Sequence, residues 1–413
     1  MKMRQAKDQG WTTTLSRILL VAIVATGLVA PAQAGDREQA KRIHDRLAGV
    51  PPTDTVLQDM QNLIAAGDAL GAADLAMDNV NFYNVTLKNF AAPWTNRDQS
   101  VFVPLNDYIA TVIGMIRDDI PFNTVLSADL TYRGNGNIVP TAPSANNNRH
   151  YEELEANNIN LRDELVDVAQ SSIQQIPSSA TAGVMTSRAA SEAFFIAGTN
   201  RAMFRFTLMN HMCNDMEQVH DPKLPPDRIR QDVSRSPGGD SRLFLNNCVG
   251  CHTGMDPMAQ AFAYYDYNQD PNNPELGRLD YSASGPGPGG TVQAKYFNND
   301  LNFPQGFRTP DDSWDNYWRE GQNAYLGFSP ALTGSGSGAK SLGEELANSD
   351  AFAACQVRKV FRAVCLRDPD LGDPVDNSDL MAFTSIKNSF RNGAPAYSMK
   401  RVFAETAVYC MGQ

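Results

Sequence analysis

Two thiols and an imidazole lie within one short run of the chain, Cys248-Val249-Gly250-Cys251-His252. Two cysteines separated by two residues can reach the two vinyl groups of one porphyrin, and a histidine directly after them can ligate its iron. The spacing therefore predicts one covalently attached haem c, held by Cys248 and Cys251, with His252 as the proximal iron ligand. A zinc site would need a second ligand pair at comparable spacing, which the other cysteines and histidines do not offer.

The segment after the motif determines what could bind the other face of a haem iron. No histidine or methionine occurs between Ala259 and Leu380, which is where a class I cytochrome c commonly carries its distal methionine. Met381 or Met399 could supply a thioether, and Met399 is the preferred distal ligand because it starts the last predicted helix. A ligand from the N-terminal half, or an open site that binds a small molecule, is the alternative. The candidates in that half are His211, His220, Met209, Met212 and Met216.

The first 34 residues have the pattern of an export signal. Four basic side chains precede an apolar stretch at 18–29, and small residues at 32–34 fit a cleavage site after Ala34. The apolar stretch is short for a membrane span of about 20 residues, so no stable membrane insertion is expected. The sequence predicts a periplasmic or secreted protein.

The charge balance limits the partners that such a protein would bind. The whole chain has a formal charge of −11, and loss of the four basic residues and one acidic residue of the signal makes it about −14. An acidic protein is repelled by nucleic acid and by anionic membrane surfaces. The partner we expect is a redox protein such as a dehydrogenase or another cytochrome.

The elements that would position the motif are mainly helical. Apolar residues recur at helical spacing over 54–65 and 105–116, and the pattern resumes at His150 and again from Ser187 to about Val219. Residues 221–240 are rich in proline and glycine and read as a linker. We therefore predict a mainly α protein with an N-terminal helical domain at 35–233 and a C-terminal class I cytochrome c-like haem domain at 234–413.

The haem domain is expected to contain long loops rich in glycine and proline between its helices. Residues 269–338 include the runs Gly285–Gly290 and Gly334–Gly338, which have loop composition. Order is expected to return at 341–347, in a helix over 351–365 and in a last helix over 398–410. Asp256 and Pro257 suit an N-cap and a first helical position, which predicts a new helix running to Tyr264.

Four cysteines remain beside the haem pair, and an oxidising compartment would allow them to form disulfides. Cys355 and Cys365 are about 15 Å apart along one predicted helix, which is too far for a bond between them. Cys213 and Cys410 would then each pair with one of these two, in either arrangement. Buried free thiols are the alternative.

Two features around the motif favour a class I cytochrome c arrangement. Phe244 lies four residues before Cys248 and can pack on the same helix face where this helix is expected to cross the helix over 351–365. The helix over 351–365 combines an apolar stripe with a basic edge of Arg358, Lys359 and Arg362. That edge suits haem propionates or an acidic redox partner, although a solvated helix face would look the same.

The chain resembles the planctomycete-type cytochrome c-like proteins. The resemblance rests on Cys248–Pro257 with the aromatic and acidic run at 263–266, on the helix that contains Phe352–Phe361, and on residues 105–108 and 117–122 in the N-terminal half. It departs from the family where glycine usually follows the Asp-Pro pair, since Met258 and Ala259 stand there. The resemblance implies a periplasmic haem protein and leaves its substrate open.

These expectations lead to a monohaem electron carrier or electron-accepting subunit as the first hypothesis. A peroxidase-like or oxygenase-like enzyme with an open distal site is the second, and a protein in which the haem is structural is the third. The aromatic residues that could carry radicals in an enzyme, or equally pack in a core, are Tyr264, Tyr265, Tyr267, Trp314 and Trp318. No distal His-Arg pair is evident, which favours electron transfer.

Overall fold

The computed structural model describes residues 34–195, 199–230, 241–282, 292–297, 305–373 and 376–411. The predicted export signal, up to residue 33, and the predicted loop at Gly285–Gly290 lie outside these residues. The described chain is mainly helical, which confirms the predicted class. None of its helices is both long and apolar enough to cross a lipid bilayer.

The N-terminal half is built from helices and one strand pair. Its helices are α1 (Asp36–Ala48), α2 (Asp54–Ala65), α3 (Ala69–Met77), α4 (Lys88–Ala91), α5 (Asp107–Arg117), α6 (Arg149–Ala156), α7 (Leu161–Glu164), α8 (Gln170–Gln174), α9 (Arg188–Phe194) and α10 (Arg201–Met212). A π-helical segment, Phe82–Leu87, leads into α4. Strands β1 (Thr131–Gly134) and β2 (Leu165–Val168) pair antiparallel.

The predicted N-terminal helices form because apolar spacing and capping agree. Thr53 accepts a hydrogen bond from the backbone N–H of Val56 and starts α2 at the predicted residue. Asn106 caps α5 in the same way through Ile109. The single helical pattern expected from Ser187 to Val219 is wrong, because α9 ends at Phe194 and α10 ends where Cys213 takes a left-handed conformation with φ of 52°.

The C-terminal half contains the motif and the last helices. Its helices are α11 (Ser241–Asn247), α12 (Val249–Ala259), α13 (Gly338–Ala347), α14 (Asp350–Cys365), α15 (Ser378–Asn392) and α16 (Met399–Cys410). Its strands are β3 (Tyr265–Asp270), β4 (Asn273–Tyr281), β5 (Ser313–Asp315) and β6 (Ser335–Ser337). Ser349 and Ser398 cap α14 and α16 by accepting hydrogen bonds from the backbone N–H groups of Phe352 and Arg401.

The expectation that residues 269–338 form loops is wrong for two strand pairs. β3 and β4 form an antiparallel hairpin in which Tyr265 and Tyr267 alternate inward with polar residues that point outward. β6 lies inside the Gly334–Gly338 run and pairs with β5, and Gly336 lies beneath the indole of Trp314. Glycine in this run lets the backbone pack closely against a neighbouring side chain. A high glycine content by itself therefore does not distinguish a loop from a strand here.

The four cysteines outside the motif form two disulfides, in one of the two arrangements that the sequence allows. Cys213 bonds to Cys355 and thereby joins the end of α10 to α14, and Cys365 bonds to Cys410 and joins α14 to α16. These helices belong to one hydrophobic core that includes residues from both sides of the boundary predicted at 233 and 234. The division into two domains therefore stays a prediction from the sequence.

Candidate functional site

The motif lies at the junction of two helices. Cys248 ends the short helix α11 by donating its backbone N–H to the carbonyl of Phe244 at 2.9 Å, and α12 begins one residue later. Phe244 is buried, and its ring centre lies 5.2 Å from that of His252. Phe244 packs with Ile229, Cys248 and Val249 in a cluster apart from the main core that contains α14, so the predicted crossing of its helix with α14 is wrong.

The motif cysteines differ from the other four in their chemical state. All six cysteines lie within the described residues, and only Cys248 and Cys251 are outside a disulfide. Both are half-buried, and the Cys251 sulfur lies 3.5 Å from the carbonyl oxygen of Met216. Burial raises the pKa of the Cys251 thiol, with a smaller effect of the neighbouring Cys248.

The imidazole of His252 is held by a buried carboxylate one turn further along α12. Its Nδ1 lies 3.1 Å from Oδ1 of Asp256, whose side chain is fully buried. Arg201 of α10 donates two hydrogen bonds to the same carboxylate, from Nε to Oδ1 at 2.7 Å and from Nη2 to Oδ2 at 2.8 Å. Nη2 of Arg230 lies 3.7 Å from Oδ1. This Asp256 cluster, made of His252, Asp256, Arg201 and Arg230, puts two cations and one imidazole around one anion.

The charges of the cluster keep Asp256 ionised despite its position. Burial by itself raises the pKa of a carboxyl group, but the nearby Arg201, His252 and Arg230 together hold the pKa of Asp256 well below its usual range. An ionised carboxylate accepts a stronger hydrogen bond than a neutral acceptor does. His252 is therefore oriented by a charged partner, and its Nε2 is left for a ligand.

The predicted role of Asp256 and Pro257 at the start of a helix is wrong. Both residues lie inside α12, which begins at Val249 and ends at Ala259. Arg201, 55 residues earlier in the chain, takes the carboxylate that would otherwise cap a backbone N–H. Pro257 has no N–H to donate to the carbonyl of Thr253, and α12 ends two residues after it, at Ala259.

The opposite face of α12 contains two glycines that permit close packing. A Cβ added at Gly250 would lie 2.3 Å from Nε2 of His220, and one added at Gly254 would lie 2.0 Å from Nε1 of Trp318. The backbone N–H of Asp221 also donates to the carbonyl of Gly250 at 2.9 Å. Sequence reasoning missed both glycines, although their spacing of four residues on one helix was visible.

Two parts of the N-terminal half therefore contact the motif, the segment from Met216 to Asp221 and Ile229, which packs with Cys248 and Val249. Thr253 strengthens this contact by donating its hydroxyl to the carbonyl of Asp221 at 2.9 Å. Of the ligand candidates in that half, Met216 and His220 are brought against the motif, at Cys251 and Gly250. The predicted linker at 221–240 begins within this packed segment, and its residues 231–240 lie outside the described chain.

The remaining candidates for a distal ligand lie in other environments. Met399 is buried at the start of α16, which packs on α3, α14 and α15, whereas His252 lies on α12, which packs on α10, α11 and β5. Met381 is exposed on α15. His211 is buried and lies 2.7 Å from the hydroxyl of Tyr108, and burial together with the nearby Lys359 holds its pKa well below the ordinary value. Its position is that of a core histidine.

The basic edge of α14 lines a cavity of about 660 Å³. Lys359 places Nζ 3.6 Å from the ring centre of Trp94, and burial lowers its pKa well below the ordinary value. Arg362 pairs with Asp368, and Arg358 is exposed. Asp215 and Gln218, which flank Met216 and Glu217, form another wall of the same cavity. The edge is therefore mixed, with one cation on an aromatic ring, one paired and one exposed.

The donor set of the motif fits a covalently attached haem. Two thiols outside any disulfide stand beside an imidazole whose Nδ1 is already bonded, and the exposed Leu243 and Leu245 add apolar surface on α11. No group of three or more His, Cys, Asp or Glu side chains suited to a bare metal ion occurs in the described chain. A haem does not need such a group, because its porphyrin supplies four of the iron ligands.

Comparison of the chain with protein-family models, with curated proteins and with solved structures gave no match.

Proposed function

We propose that the chain is an exported c-type cytochrome that carries one haem and transfers electrons. The observation that carries this proposal is the state of the six cysteines, because the two outside the disulfides are those of the Cys248–His252 motif. They stand beside an imidazole that a buried carboxylate already orients. Two disulfides in one chain support an oxidising compartment such as the periplasm or the cell exterior.

The residues of the motif have separate tasks in this proposal. Cys248 and Cys251 hold the haem through thioether bonds, and His252 ligates its iron through Nε2. When bound, the haem supplies an iron that accepts and releases one electron. Asp256 keeps the imidazole in one tautomer, and Arg201 keeps Asp256 in place. Met399 stays the proposed distal ligand from the sequence, although its helix packs on a different set of elements from α12.

The proposal extends to the architecture and the partner. Residues 234–413 would form a haem domain of the class I cytochrome c type, in the planctomycete-type group that the motif resembles. Residues 35–233 would bind a redox partner such as a dehydrogenase or another cytochrome. The acidic mature chain supports a partner with complementary charge rather than nucleic acid.

The electron-transfer proposal is tested with the full chain expressed alongside a c-type haem maturation system. We expect a reversible one-electron wave in protein-film voltammetry and a low-spin reduced spectrum that carbon monoxide does not change. The Cys248→Ala/Cys251→Ala variant should lack the wave, and Cys365→Ala/Cys410→Ala, which also loses two cysteines, should keep it. Absence of a wave in a wild-type chain that contains haem would contradict the proposal.

A haem enzyme with an open distal site is a second candidate, favoured by the placement of Met399. Its helix α16 has its main contacts with α14, α15, α3 and α1, and none of these main contacts is with α12, which carries His252. An enzyme of this kind would bind carbon monoxide rapidly when reduced and would show high-spin features when oxidised. A near-infrared methionine-to-iron band in the oxidised protein would instead support electron transfer.

A further inference from the structure

We propose that Asp256 is a positioning residue that sets the reduction potential of the iron through the Nδ1 hydrogen bond of His252. This inference rests on the proposed function, since it needs a haem on the motif. It assigns to Asp256 a role that differs from a helix cap and from a purely structural ion pair.

The geometry singles out Asp256 as a partner of the iron ligand. Asp256 and His252 are four residues apart on α12, which brings Oδ1 within 3.1 Å of Nδ1. The carboxylate is fully buried, whereas 19% of the His252 side chain is exposed, so the carboxylate lies on the protein side of the ring. Nε2 is on the far edge of the imidazole from Nδ1, where a metal would bind.

The two arginines keep this carboxylate charged and fixed. Both oxygens of Asp256 accept from Arg201, and Oδ1 is shared between Arg201 and His252. A buried carboxylate without such partners would take up a proton and would then bind His252 less strongly. The arginines therefore keep Asp256 negatively charged. Their own positive charge also reduces the net negative charge close to the imidazole.

A charged acceptor on Nδ1 affects the iron in a definite direction. A ligating histidine that donates its other N–H to a carboxylate is fixed in one tautomer and becomes a more basic ligand. A more basic ligand stabilises Fe(III) more than Fe(II), which lowers the reduction potential. Removal of the charge in Asp256→Asn should weaken the preference for Fe(III) about tenfold, which corresponds to a rise of about 59 mV for a one-electron couple.

The experiment compares three full-length haem-loaded variants by voltammetry. Asp256→Asn should raise the reduction potential. Asp256→Glu keeps the negative charge, so its potential should lie close to the wild-type value. Asp266→Asn is the matched control, because Asp266 also pairs with a cation, Lys295 at 2.8 Å, in a different part of the domain. The control should keep the wild-type potential. An unchanged potential in a folded Asp256→Asn protein with normal haem content would overturn the inference.

A second measurement decides the question if Asp256→Asn does not fold. In the haem-free Cys248→Ala/Cys251→Ala chain, ¹⁵N spectra of His252 should show the proton on Nδ1. A proton on Nε2 instead would overturn the positioning role. These outcomes are distinct from failure of the proposed function, which would appear as a wild-type chain that takes up no haem or whose haem gives no voltammetric wave.

Discussion

The six cysteines define two regions of the molecule that use the same side chain differently. In the disulfide region, Cys213–Cys355 and Cys365–Cys410 tie α10, α14 and α16 together inside the main core. In the motif region, Cys248 and Cys251 keep their thiols at the junction of α11 and α12. The neighbours explain the difference, since the motif thiols stand beside His252 and the Asp256 cluster. The comparison shows that two cysteine pairs cross-link helices of the main core, while the pair in the motif lies outside any disulfide.

The largest expected effect comes from the disulfide region. Replacement of Cys213 and Cys355 by alanine opens a cross-link that spans 142 residues, which should cost about 2–5 kcal/mol in the free energy of unfolding. Denaturant titration of the variant measures this loss. If the motif carries a haem, the haem content per folded chain should stay at the wild-type level, because neither cysteine belongs to the motif.

The shorter cross-link provides the matched comparison. Cys365–Cys410 spans 45 residues, so its removal should cost about 1 kcal/mol less than removal of Cys213–Cys355. Loss of haem from either disulfide variant at full folding would contradict the expected haem content, because it would show that the cross-link is needed for haem attachment at the motif.

A smaller effect is expected in the motif region, where Gly254 lies against a buried indole. Gly254→Ala would place a Cβ 2.0 Å from Nε1 of Trp318, which is fully buried and has little room to move. Overpacking of this kind costs about 1–3 kcal/mol, and thermal or denaturant unfolding would measure it. Gly372→Ala is the control, because nothing lies within 4 Å of a Cβ at Gly372. Equal stability of the two variants would contradict the described packing of α12.

The smallest expected effect is a dependence of stability on mild acid, which comes from buried histidines away from the motif. Burial lowers the pKa of His44, His150 and His211 below the ordinary value of 6.5. Their contribution to stability is complete above about pH 6.5. It is lost as the pH falls through that value toward the folded pKa, by at most about 1.4 kcal/mol per pH unit for each histidine.

His150 allows this dependence to be assigned to one group. Its Nε2 accepts from the backbone N–H of Gly134 at 3.0 Å and its Nδ1 lies 2.7 Å from the carbonyl of Thr141, which requires the neutral ring. His150→Asn removes the titration and retains a donor for Thr141, so its unfolding free energy should fall less between pH 7 and pH 5. The same pH slope in the variant and the wild type would contradict this assignment.

The Asp256 carboxylate should not contribute to stability loss in that pH window. Its carboxyl pKa is lowered, so its contribution is present above the unfolded value of about 3.9 and is lost only at more acidic pH. The buried histidines and the Asp256 carboxylate therefore respond to different ranges of pH.

Local sequence patterns predicted the elements that depend on local forces. The helix at 54–65 was predictable to the residue, because apolar spacing and the Thr53 cap act within one turn. The separation of Cys355 and Cys365 followed from the rise of one helix, which excluded a bond between them. Which of these two bonds to Cys213 depends on how α10 crosses α14, and no local pattern contains that information.

The errors occurred where a distant residue changed a local preference. Asp256 followed by Pro257 is a typical sequence for the start of a helix. In the structure, however, Arg201 on another helix donates to the Asp256 carboxylate. Tyr265 and Tyr267 alternate at strand spacing, but the glycine and proline around them dominated the prediction. The placement of His220 against Gly250 likewise depends on tertiary packing, although the motif itself was evident from five residues.

The most direct test of the central claim is the mass of the protein after expression with a c-type haem maturation system. Under denaturing conditions, the wild-type chain should carry the mass of one haem, and proteolysis should place it on the peptide that contains Cys248 and Cys251. Wild-type protein that matures without added mass, or haem that is lost on denaturation, would contradict covalent attachment at this motif.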